Sequence, residues 1–92
     1  MSRLQTPLRP DLALIFDHVA ENARVLDVGC GDGALLQALR DERRCNVHGM
    51  EIDPANVAEC VEKGLALLGA NIGRGKENAV GQEGLRRRLW IS

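Results

Sequence analysis

Aromatic side chains are nearly absent from this chain, which has Phe16, Trp90 and no tyrosine. A surface that stacks unpaired bases needs such rings, so a base-stacking or RNA-reading function is not expected. The core must instead be built from Leu, Val, Ile and Ala. Long apolar runs are missing as well. The stretch from Leu12 to Phe16 is too short for a signal peptide, and nothing approaches the ~20 apolar residues of a membrane helix. Cysteine is scarce: Cys30, Cys45 and Cys60 form no CxxC pair and no metal-ligand cluster. An odd count without a leader points to reduced thiols, a cytoplasmic protein and no bound metal.

Nor does either sign of charge dominate, because the net charge is −1. It is unevenly spread, however. Residues 1–73 carry seven Lys and Arg against eleven Asp and Glu, while residues 74–92 carry five against two. The acidic body argues against a nucleic-acid surface. In the tail, Arg86 to Arg88 read as a solvated helix face or, less simply, as a basic contact segment.

What is present is a small α/β pattern. Ninety-two residues, 45% of them hydrophobic, make one small domain. Residues 1–10, with Pro7 and Pro10, read as an arm, 11–72 as the folded domain and 73–92 as a basic, glycine-rich tail. Leu12, Ile15, Phe16 and Val19 form one helical stripe, with Asp11 as a candidate N-cap and Glu21-Asn22 as the stop. Arg24 to Val28 reads as a strand buried on both faces, as parallel sheets usually are. The glycine-rich Gly29–Gly33 follows, then a helix with Leu35, Leu36 and Leu39 inward. Asn46 to Ile52 is a second strand, with Met50 in the sheet core. Asp53 and Pro54 open a third helix as N-cap and first residue. Its inner face is Val57, Cys60 and Val61, and Gly64 closes it. Leu65 to Leu68 is a third strand. This order predicts a Rossmann-like parallel sheet of about three strands with flanking helices. Residues 69–84, with five glycines, read as loop, and a short basic helix is expected from about Glu83 to Leu89.

The chemistry lies in Val25-Leu-Asp-Val-Gly-Cys-Gly-Asp-Gly33, placed where a strand hands over to a helix. Glycines there permit a tight turn and a close approach of backbone to ligand. The spacing is G-x-G-x-G, not the dinucleotide G-x-G-x-x-G. Asp32 also suits a pyrophosphate poorly, since like charges would meet. A nicotinamide-dependent oxidoreductase is therefore a distant reading. Glu51, twenty residues after Gly31, ends the second strand, where a carboxylate can accept both hydroxyls of a ribose. The two features converge on a nucleoside with a charged, amino-acid-like head. Asp27 within an apolar strand strengthens this, because a buried carboxylate is costly unless paired. Asp32 reads as loop or first-turn charge, His18 and His48 as structural, and Cys30 as a packed side chain with no base beside it.

VLDVGCGDG followed by GMEID resembles motif I and the following acidic strand end of class I S-adenosylmethionine-dependent methyltransferases. More closely, RPDLALIFDHV, VLDVGCGDGALLQALRDE and GMEIDPANVAECVEKGL resemble the MetW proteins of bacterial methionine biosynthesis, from about Arg9 to Gly64 and more loosely to Ile72. The resemblance implies S-adenosylmethionine as ligand. Asp27, Gly29, Cys30, Gly31 and Gly33 would hold its amino-acid end, Glu51 its ribose, and Ile52 and Asp53 would lie near the adenine. It also implies an association with homoserine O-acyltransferase.

The chain departs from that family after the third strand. Asn71 stands where an acidic residue is usual, and the tail resembles nothing in the family, so a truncated or frame-shifted product is expected. No acceptor pocket or catalytic residue is legible. Three functions follow: a methyltransferase-like binder of S-adenosylmethionine, a non-catalytic accessory subunit of the acyltransferase, or an inactive remnant domain. Homodimerisation through the sheet edge at the third strand is expected, since an open edge invites pairing.

Overall fold

The computed structural model describes residues 8–68 and 87–92. Seven elements follow in order: α1 (Pro10–Asp17), β1 (Arg24–Val28), α2 (Ala34–Arg43), β2 (Asn46–Met50), α3 (Pro54–Glu62), β3 (Ala66–Leu67) and β4 (Arg88–Ile91). They build a Rossmann-like α/β domain with one four-stranded mixed sheet in the order β3-β2-β1-β4. β1 pairs in parallel with β2, and β2 with β3. β4 runs antiparallel to β1, with Val28 opposite Arg88 and Val25 opposite Ile91.

That last pairing replaces a helix with a strand at Arg88 and Leu89. Without β4, one side of β1 would present a row of unpaired N–H and C=O groups. Leu89, Trp90 and Ile91 are good strand formers, and their pairing with β1 outweighs the helical preference of the arginines before them. The start of the expected helix, the glycine loop after residue 68 and Asn71 lie outside the described residues.

The core is a single cluster. Leu12 and Phe16 of α1, Leu35, Leu36 and Leu39 of α2 and Cys60 of α3 pack with Val25 and Val47 of the sheet. Only alternate strand residues take part, since neighbours along a strand point to opposite faces. Leu26, Val28, His48 and Met50 lie on the other face and are half-buried. β1 is thus buried on one face, not two, and Met50 sits outside the core. No described helix covers that second face, where Leu68, Trp90 and Ile91 are exposed.

Local details refine the element ends. Pro10 occupies the first helical position of α1, which makes Arg9 the N-cap and leaves Asp11 in the first turn. The helix stops at Asp17, yet Val19 beyond it remains in the core. Asp53 is the N-cap of α3, though its side chain makes no capping bond, and Gly64 follows the helix with φ of 75°. Val61 points to solvent at 63% exposure. α3 lies at the β3 end of the sheet, so it buries a narrower stripe than its sequence offers.

Candidate ligand site

The glycine turn sits at the carboxyl end of β1 and is tied to the end of β2. Gly29 and Cys30 both donate their N–H to the Met50 carbonyl, at 2.7 and 3.1 Å. Gly33, with φ of 86°, begins α2 in a conformation L side chains resist. A Cβ there would collide with Leu65 and stand 3.1 Å from Cys60 Sγ, so the glycine also lets α2 and α3 close together. Asp32 is exposed, and its Oδ1 accepts the Ala34 N–H at 3.0 Å, satisfying one free donor of the first turn.

Glu51 joins the two motifs. Its Oε1 accepts the Gly31 N–H at 2.7 Å and its Oε2 accepts the Asp53 N–H at 3.0 Å. The glycine turn and the start of α3 are therefore held by one carboxylate, buried to 7% exposure. Each oxygen keeps a second lone pair after these bonds.

Asp27 lies between Gly49 of β2 and Leu89 of β4 and is wholly buried. Among the described residues neither of its carboxylate oxygens has a hydrogen-bond partner. The nearest cation is Arg87, whose Nε stands 3.4 Å from Oδ1. Burial pushes the carboxyl up to about 6, Arg87 holds it down and Glu51 adds to the rise. A buried acid in this condition has a charge partner but is short of hydrogen-bond donors.

Beside these groups is a cavity of about 430 Å³, within the ~300–1,000 Å³ usual for small-molecule sites. Leu8 and Leu12 wall one part; Gly31, Asp32, Asn56 and Arg87 contribute the polar lining. Of the expected site residues, Cys30 and Gly31 line it directly. Asp27 and Glu51 are linked to it through Arg87 and Gly31. Gly29, Gly33, the half-buried Ile52 and the exposed Asp53 support or flank the turn and do not line the cavity.

Two residues escape sequence reading. Asn56 gives no signal beyond its polarity. Arg87 sits within a run of arginines that resembles a solvated helix; only a strand period would have set it apart from Arg88.

The remaining candidates are structural. Cys30 and Cys60 are buried with their sulfurs 3.7 Å apart, and burial pushes both thiols above the ordinary range. Neither is activated as a nucleophile. His18 is exposed, with Nδ1 donating to the Leu14 carbonyl at 2.8 Å. His48 lines a second cavity of about 470 Å³ on the open face with Leu26, Leu68 and Trp90, and its described lining holds no Asp or Glu. The described residues contain no cluster that could ligate a metal and no helix long and apolar enough to cross a membrane.

Comparison with curated proteins and with solved structures gave no match. Residues 9–83 match the family model described as methionine biosynthesis protein MetW. The match takes in α1, the glycine turn, Glu51 and α3, and with them most of the crevice, though not Leu8 or Arg87. With most of its length covered, the chain belongs to the MetW family.

Proposed function

We propose that this protein binds S-adenosylmethionine in the crevice beside the glycine turn, as a methyltransferase-like cytoplasmic protein serving methionine biosynthesis. The observation that carries this reading is the Glu51 carboxylate bonded to Gly31 at 2.7 Å. It brings two motifs, twenty residues apart, to the carboxyl ends of neighbouring strands, where ligands of such sheets bind.

The residues fit the molecule. Asp27 offers a buried anion with both oxygens unsatisfied, suited to a cationic head. Glu51 retains lone pairs for ribose hydroxyls, and Ile52 with Asp53 flanks the adenine. When bound, S-adenosylmethionine supplies an activated methyl group on a sulfonium. Methyl transfer further requires an aligned acceptor and, for a protonated acceptor, a general base. Among the described residues the only carboxylate lining the cavity, Asp32, already accepts from Ala34, and neither histidine lines it. The reading therefore assigns binding and no catalytic step.

Calorimetric titration of the whole chain with S-adenosylmethionine tests it, alongside Glu51→Gln. The glutamine keeps one acceptor oxygen and replaces the other with an amide that cannot accept a backbone N–H. Binding that weakens about tenfold or more in the variant is expected, since a lost charge-assisted bond is worth ~1.5–3 kcal/mol. No heat from a demonstrably folded wild type would reduce the motif to scaffold and leave an inactive remnant or a partner-dependent subunit.

The open sheet face favours a second, compatible reading as an accessory subunit of homoserine O-acyltransferase. Trp90 is 54% and Ile91 48% exposed there, an apolar surface suited to a partner. Sedimentation of the mixture at micromolar concentration should show a complex, and two independent boundaries would remove that reading.

A further inference from the structure

Arg87 reaches the crevice from outside the part of the chain that matches the family model, which ends at residue 83. The antiparallel course of β4 brings it there. Arg88 is paired with Val28, so the residue before it stands at the carboxyl end of β1, where the glycine turn begins. Its guanidinium spans the site: Nε is 3.4 Å from Asp27 Oδ1, and Nη2 is 3.9 Å from where a Cβ on Gly31 would be. Nη1 is buried without a hydrogen-bond partner among the described residues.

The unsatisfied groups in this corner are complementary in kind. Among the described residues, two carboxylate oxygens of Asp27 lack donors and a guanidinium nitrogen of Arg87 lacks an acceptor. The 3.4 Å approach between them completes neither set. An α-amino acid head supplies both missing partners, since its ammonium donates and its carboxylate accepts. A head with the ammonium alone would satisfy Asp27 but leave Arg87 Nη1 as it is in the free protein, forgoing the charge-assisted bond that a carboxylate gains. Arg9, the other cation of the cavity, is a weaker anchor. It is exposed and already faces Asp11 at 3.4 Å.

We propose that Arg87 is a specificity-determining residue that anchors the carboxylate of an amino-acid head, while Asp27 takes its ammonium. The proposal rests on the reading of the crevice as an S-adenosylmethionine site. It makes β4 a working wall of the pocket, and it selects ligands that carry a complete zwitterionic head.

The test titrates the full chain with three ligands: S-adenosylmethionine, its decarboxylated form, and methylthioadenosine, which lacks the head. The wild type is expected to prefer S-adenosylmethionine over the decarboxylated form by ten- to a hundredfold, the worth of one charge-assisted bond. Arg87→Ala should erase that preference, and Arg87→Lys should keep part of it. Methylthioadenosine should bind wild type and Arg87→Ala alike. Both adenosylmethionine ligands carry the ammonium, so any change at Asp27 cancels in their ratio. Arg88→Ala, at the next residue and the first of β4, controls for docking of the strand, and far-ultraviolet dichroism checks the fold. The wild-type comparison needs no variant at all.

An unchanged preference in Arg87→Ala, or no preference in wild type, overturns the proposal while leaving the nucleoside site intact. Tighter binding by Arg87→Ala also overturns it, since the guanidinium would then be a plug. If the folded wild type binds none of the three, the underlying reading fails and the proposal falls with it.

Discussion

Gly33→Ala is expected to lower the melting temperature by about ten degrees or more, or to prevent folding altogether. Two costs meet at this position. A side chain forced into the left-handed region loses ~1–2 kcal/mol, and φ here is 86°. The new methyl also collides with Leu65 and crowds Cys60, and overpacking of a filled core costs ~1–3 kcal/mol more. A small domain loses ~4–8 °C per kcal/mol, and its whole stability lies near the low end of ~5–15 kcal/mol. Gly64→Ala separates the terms. Its φ is 75°, but the nearest atom to an added Cβ is the end of the Arg40 side chain at 3.7 Å. It should show the strain alone, at about 1–2 kcal/mol. Thermal unfolding of both variants decides the matter. A Gly33→Ala protein that melts no lower than Gly64→Ala would mean that α2 and α3 are not closed upon this glycine.

Stability should fall as pH is raised from about 4 to about 6, opposite to the usual behaviour of a carboxylate held in an ion pair. Asp27 has its carboxyl raised from an ordinary 3.8 to about 6. Between those values the folded protein keeps a proton that the unfolded chain has released. Rising pH therefore favours unfolding, by about 3 kcal/mol over the window. The contribution is fully present below about pH 4 and is lost as pH passes about 6. Asp27→Asn cannot titrate and should flatten this part of the profile. Arg87→Ala removes the charge that holds the carboxyl down, so its decline should extend to higher pH. Urea unfolding followed by Trp90 emission across pH 4–8 measures all three proteins. A slope that persists in Asp27→Asn would assign the effect to another group.

These expectations show where sequence and structure agree and why they part. The turn from β1 into α2 was legible because its determinants are local. An apolar strand, glycines and a leucine stripe follow one another within twenty residues, and Asp53-Pro54 marks the start of α3 in the same way. The convergence of Glu51 on the glycine turn followed from the ends of parallel strands lying side by side. Its direct bond to the Gly31 N–H did not, because a side chain that can reach ribose can equally reach backbone. Val61 fits an apolar stripe as well as Cys60 does. Only the position of α3 at the sheet's end decides that one is at 63% exposure and the other at none. Arg87 was hidden for the strongest reason. Its place depends on pairing with β1, and a local pattern of three arginines carries no trace of a partner strand sixty residues away.

That pairing also orders the assembly of the molecule in time. β1 closes one loop to β2, where Arg24 meets Asn46, 22 positions on, and a far longer one to β4, where Val25 meets Ile91, 66 positions on. The longer closure costs about 1 kcal/mol more in chain entropy, and its reward is a four-residue edge strand. Nearby contacts should therefore form first and β4 should dock last. The glycine turn and Glu51 would then be in place before Arg87 arrives, so the crevice gains its cationic wall only at the end of folding. Trp90, the chain's single tryptophan, rides on the late element. Its emission should mark that final step in folding as well as the global unfolding transition.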